Sequence, residues 1–153
     1  MSMARASSLG LLVLIGTFVL SACGSPAIKD SLPTPMATLR MAEMPDFVQN
    51  ALPKTQEAYQ FAAANPRALL TVPCYCGCSR IGHKNNLDCY IKDSSNGKIT
   101  FENHAAFCGV CVNITHDVMQ LQTEGKTPLQ IRTYVDIQYG SVGPSTNTIM
   151  PTG

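Results

Sequence analysis

The chain has 153 residues, a formal net charge of +1 and only 14% charged side chains. There is no long basic run on which a phosphate backbone could lie, so nucleic acid is not indicated as a partner. The length suits one domain behind a leader, and seven cysteines in so short a chain make sulfur chemistry the first question.

Arg5 is the only charged residue before Lys29, and residues 9–20 form an apolar run, LGLLVLIGTFVL. That run is too short for a comfortable membrane-spanning helix and fits the apolar core of a secretory signal. LSACG follows at residues 20–24 and resembles a bacterial lipobox, in which the chain is cut before a Cys that becomes lipidated. Residues 1–22 are therefore expected to be a lipoprotein signal peptide and Cys23 the lipidation site. The mature protein is expected on the extracytoplasmic face of a bacterial membrane, held by its lipid. The alternative is an ordinary signal peptide with a coincidental Cys. Residues 23–40, rich in Pro, Ser and Thr, read as a tether. Residues 41–140 read as the folded domain. Residues 141–153, SVGPSTNTIMPTG, have the composition of a disordered tail.

Within the domain, residues 53–65 predict a helix opened by Pro53 and ended by Pro66, with Ala58, Phe61 and Ala62 on its apolar stripe. Residues 89–101, CYIKDSSNGKITF, predict a short β-hairpin turning at Asn96-Gly97. Residues 105–124 carry Phe107, Cys111, Ile114, Val118 and Leu121 at helical spacing, and Gly125 stops that helix. Thr127 and Pro128 open a last helix that runs to Tyr139 with Ile131, Tyr134 and Val135 on one face, and Gly140 ends it. The two-residue link makes these last helices antiparallel neighbours. The expected fold is mainly α, a small helical bundle with a Cys-rich loop and one short β-hairpin.

The loop VPCYCGC places Cys74, Cys76 and Cys78 at every second position. In an extended chain their side chains would share one side, with neighbouring Cα atoms about 6.6 Å apart. Two sulfurs on one metal must come within about 4 Å, so the chain has to curl, and Gly77 permits the positive φ that a curl needs. A disulfide inside Cys-x-Cys would close a small, strained ring. The second cluster, Cys108 and Cys111 in FCGVC, sits at a helix start, where free N–H groups favour thiolate. With Cys89, these make six cysteines besides Cys23. An even count in an oxidising compartment is also what three plain disulfides would give. Clustered soft thiolates select Cu(I) or Zn(II), with Cu(I) favoured. His83 and His104, near the two clusters, are additional ligand candidates, whereas His116 is expected on the surface. Met119 is expected in the core, and Met41 and Met44 are weaker copper candidates. No Ser-His-Asp order or carboxylate pair stands out, so no catalytic residue is assigned.

VPCYCGC, GHKNNLDCYIK and HAAFCGVC together resemble the bacterial PCYCGC-motif lipoproteins, with PCYCGC intact at residues 73–78. The resemblance runs from about Pro53 to Gly140 and implies a Cys-rich extracytoplasmic domain, with no catalytic residue to carry over. Residues 108–140 also resemble the Cys-x-x-Cys helix pair of the thiol oxidoreductase subunits of cytochrome c maturation. That resemblance implies Cys108 and Cys111 as a redox pair, but PCYCGC and Cys89 have no counterpart there. Three readings therefore stand: a lipid-anchored soft-metal protein partnered by metal-donor or redox proteins, a thiol–disulfide oxidoreductase, and a disulfide-stapled structural domain.

Overall fold

The computed structural model describes residues 39–152. The chain divides into two units, Met1–Asp30 and Ser31–Gly153, and every described residue belongs to the second. The signal peptide, the lipidation site Cys23 and nearly all of the tether lie outside the described residues. The described fold is mainly helical with one short hairpin. Among the described residues no helix is long and apolar enough to cross a membrane.

A 3-10 turn at Met41–Glu43 leads into α1 (Asp46–Gln49), α2 (Pro53–Ala64) and α3 (Pro66–Leu70). Both longer starts use Pro in the first turn, where its missing N–H costs nothing and its fixed φ suits the helix. Pro66 thus ends α2 as expected, but it also opens α3, which the sequence analysis did not anticipate. α2 buries Ala58, Tyr59, Ala62 and Ala63, and its alanines let it pack against α4 (Gly109–Thr123). Phe61, expected on that stripe, is only half-buried, and Tyr59 takes the central place instead. Met44 is likewise a core residue.

The hairpin forms but is shorter than expected. β1 (Ile91–Asp93) pairs antiparallel with β2 (Thr100–Phe101), and Ile91 faces Phe101. Cys89 falls outside the strand, in the 3-10 turn Leu87–Cys89, because its N–H donates to the Asn86 carbonyl (3.2 Å) and closes a tight turn.

α4 and α5 (Pro128–Tyr139) pack on each other. Ile114 and Val118 of α4 and Ile131 and Val135 of α5 are all buried. Thr127 caps α5: its hydroxyl accepts from the Gln130 N–H (3.3 Å), and the Gln130 side chain accepts from the Thr127 N–H (2.9 Å). One expectation fails at the other end of α4. Phe107 is 82% exposed. The helix starts only at Gly109, and residues 104–107 form a 3-10 turn whose tighter winding rotates Phe107 off the buried stripe. Tyr134 is also largely exposed.

The tail is the clearest correction. Residues 141–152 are docked on the domain, not free of it. Thr146 is 2% exposed, its N–H donates to the Cys74 carbonyl (2.9 Å), and its hydroxyl accepts from the Cys74 N–H (2.9 Å). The Thr148 hydroxyl donates to the Lys84 carbonyl (2.6 Å). Arg132 on α5 donates to the carbonyls of Thr148 and Ile149 on one side and of Thr71 on the other, while Asp136 fixes its guanidinium at 2.9 Å. Gly143 lies so close to the Tyr75 carbonyl that a Cβ there would sit 2.8 Å from the oxygen. Composition pointed to disorder because the tail has few side chains to bury. Hydrogen bonds between main-chain groups and the Thr146, Thr148 and Arg132 side chains, with the Thr146–Cys74 main-chain bond, hold it instead.

Candidate metal centre

The centre is built where α3, the PCYCGC loop, the Leu87–Cys89 turn and the start of α4 meet. Leu69, Val72, Pro73 and Cys74 are all buried, so the chain enters the loop through the core. Asn86 ties the surrounding segments together. Its N–H donates to the Val72 carbonyl (2.8 Å), and its side-chain amide donates to the Thr115 hydroxyl (2.7 Å), which donates to the Tyr90 hydroxyl (2.8 Å). The Asn86 Oδ1 is buried and has no hydrogen-bond partner among the described residues, a cost tolerated where the other bonds fix three segments at once. Tyr59 does the same on the opposite side: its hydroxyl donates to the Glu102 carbonyl (2.7 Å) and accepts from the Ala106 N–H (3.1 Å). That fixes the segment carrying His104 and Cys108. Its ring meets Tyr90 edge-on at 4.9 Å.

The expected curl is present. Gly77 has φ +82°, and beyond it Cys78 opens a 3-10 turn, Cys78–Ile81. The curl brings Cys74 Sγ to 3.4 Å from Cys76 Sγ, keeps Cys78 Sγ within 4.8 Å of both, and sets Cys78 Sγ 3.8 Å from Cys89 Sγ. The two clusters meet: Cys111 Sγ lies 3.3 Å from Cys74 Sγ and 3.6 Å from Cys76 Sγ. Cys108 caps α4, and its sulfur shares a group with Cys76, Cys111 and His104 in which all ligand atoms lie within 4.8 Å of one another. Both histidines join the cluster. His104 Nε2 is 3.3 Å from Cys76 Sγ, His83 Nδ1 is 3.4 Å from Cys89 Sγ, and the two rings meet edge to face at 5.3 Å. The six cysteines, His83 and His104 are therefore in one place, whereas Met41 and Met44, the weaker copper candidates, enter none of these sulfur and imidazole contacts among the described residues. His116 is not; its Nε2 donates to the Lys54 carbonyl (2.8 Å). All six cysteines are free, and their contacts of 3.3–3.8 Å are far longer than a disulfide bond of about 2 Å.

The family model described as a protein of unknown function with PCYCGC motif matches residues 12–151. The chain belongs to this family. No curated protein and no solved structure matches it. The motif that defines the family thus supplies three of the sulfurs, and its Pro and Gly supply the stiff entry and the curl.

The sulfurs share protons unevenly. Cys108 is pulled down to about 5, chiefly by its hydrogen bond from Cys111 and further by a backbone N–H of the α4 start. Hydrogen bonds from Cys111 also lower Cys74 and Cys76. Cys111, donating to these neighbours, is pushed far up, and Cys78 is pushed up by its bond with Cys74. Burial pulls His104 down, but the Cys76 sulfur beside it outweighs that, and the net shift is upward. His83 is lowered, first by burial and then by His104. Few protons among many sulfurs is a donor set that a soft cation completes by displacing the protons that remain. Asn86, Tyr59, Arg132 and Thr146, which position the donors, were not identified in the sequence. Each works through backbone contacts that leave no periodic or motif signal.

Proposed function

We infer that this protein is a lipid-anchored, outward-facing bacterial lipoprotein that binds a soft metal ion, Cu(I) ahead of Zn(II), through its clustered thiolates. One observation carries the reading: Cys74, Cys76 and Cys111, drawn from two distant clusters, converge to 3.3–3.6 Å without any of them being bonded. Two sulfurs on one tetrahedral ion with bonds of about 2.3 Å stand about 3.8 Å apart, so the cluster is close to coordinating geometry. Six thiols against two imidazoles make a soft set, which favours Cu(I). A cluster of free thiols in an oxidising space would in time be lost up the sulfur oxidation ladder, and bound metal prevents that. A metal-donor or redox protein is the partner this role calls for.

Anaerobic titration of reduced protein with Cu(I) and with Zn(II), each against a competing chelator, tests the reading. Tight binding that disappears in a Cys74, Cys76, Cys78 triple Ser variant supports it. Binding no tighter than an unrelated dithiol refutes it. The anchor is tested separately: Cys23→Ser should release the protein from membranes, and continued retention would refute the lipid assignment.

A second reading, thiol–disulfide exchange, is favoured by the contrast between Cys108, half-exposed with its thiol lowered to about 5, and Cys111, buried and protonated. That is the arrangement of an attacking and a resolving thiol. Reduction of a model disulfide that stops in Cys108→Ser but survives the triple Ser change would favour it over metal binding.

A further inference from the structure

Eight soft donors converge, and a closed tetrahedral site uses four. Their groups overlap, and they can be shared out as two sets of four. Cys76, Cys108, Cys111 and His104 place their ligand atoms within 4.8 Å of one another, a full set of three sulfurs and one imidazole. With those set aside, Cys74 lies within 4.8 Å of both Cys78 and Cys89, and Cys78 and Cys89 are 3.8 Å apart. His83 Nδ1, 3.4 Å from Cys89 Sγ, is the remaining donor beside this trio, while His104 lies within 4.8 Å of Cys78 and Cys89 as well as of the first set. The sets touch through Cys74, which is 3.4 Å from Cys76 and 3.3 Å from Cys111.

We propose that the centre is binuclear, with one soft ion held by Cys76, Cys108, Cys111 and His104, a second held by Cys74, Cys78, Cys89 and His83, and the two ions adjacent across the Cys74–Cys111 contact. This rests on the metal-binding reading and adds its stoichiometry and its ligand division. The second set carries its own support. Cys74, Cys78 and Cys89 are each no more than 2% exposed. Their 3.8 Å contact matches the spacing of two sulfurs on one ion with bonds of about 2.3 Å. Once metal-bound, the thiolate charges of Cys74 and Cys111 at the junction of the two sets would offset the repulsion between two cations.

The test uses Cd(II) as a soft, four-coordinating probe on the reduced full mature chain, read by native mass spectrometry and by 113Cd NMR. The expected result is saturation at two ions per chain with two resonances. His104→Ala should then move chiefly one resonance and His83→Ala the other; both side chains are only half-buried, so neither change removes core packing. Saturation at one ion overturns the binuclear proposal while leaving the metal reading in place. Binding of a third ion, or both His variants moving the same resonance, overturns the ligand division. No bound Cd(II), with Cu(I) binding also absent in the titration above, overturns both.

Discussion

The α4–α5 helix pair and the PCYCGC loop lie side by side and are held by opposite means. The helix pair carries its instructions locally: Thr127 and Gln130 cap α5, Gly125 ends α4 with φ +74°, and Ile114, Val118, Ile131 and Val135 recur at helical spacing. The loop has almost no local hydrogen bonding of its own before Gly77. Its shape comes from Thr146, 72 residues further on, from Asn86 at the Val72 carbonyl, and from Tyr59 acting on the segment that carries His104 and Cys108. A bundle of this kind forms wherever its apolar faces meet. A cluster of sulfurs forms only if several remote main-chain contacts agree.

The largest way to break that distinction is to destroy both regions at once. Val118 is fully buried between α4 and α5. Val118→Asp should cost several kcal/mol, because a buried carboxylate without a partner is strongly disfavoured. Thermal melting followed by circular dichroism should show a cooperative transition lost or lowered by more than about 10 °C. Wild-type melting would mean that the α4–α5 face has been misassigned.

A change confined to the loop's support should separate the regions. Truncation after Gly140 removes Thr146 and the carbonyls that Arg132 holds. Helix content should stay near that of the intact chain, while metal affinity falls about 10- to 100-fold, the usual effect of losing groups that orient metal ligands. Affinity equal to the full chain would show that the tail is passive.

A third test sharpens the contrast between sulfurs. The Cys108 thiol is lowered to about 5 in the folded protein, so its thiolate persists above that pH and is lost only as pH falls through it. In apo protein, alkylation of Cys108 by iodoacetamide should therefore be half-maximal near pH 5. In urea the midpoint should move to about 8.5, the ordinary thiol value. A folded-state midpoint near 8.5 would remove the basis for the attacking-thiol reading. The smallest effect is expected from Phe107→Ala. With its ring 82% exposed, melting should shift by no more than about 0.5 kcal/mol in free energy. A loss above 1 kcal/mol would show that the ring packs.

How much was legible follows the same division. The capped, periodic segments gave α2, α4, α5 and the hairpin, because caps, glycines and a repeating apolar spacing act within a few residues of where they stand. Phe107 shows the limit even there. Periodicity extended α4 by one turn too many, since a 3-10 turn and an α-turn place the same residue on different faces. The spacing of CYCGC and CGVC, with Cys89, His83 and His104, also named every donor now found in the cluster. That succeeded because ligand chemistry is written in side-chain type.

The sequence alone therefore determined the helical class, the donor inventory and the need for a curl at Gly77. Only the tertiary structure decided that the two clusters meet and that both histidines join them. It also decided that the Pro- and Thr-rich tail is part of the domain. The physical reason is range. Caps, stripes and ligand types are properties of residues and their near neighbours. The meeting of Cys74 with Cys111 depends on main-chain groups such as the Cys74 carbonyl and Thr146 N–H, which every non-proline residue possesses and which no composition or pattern can mark in advance.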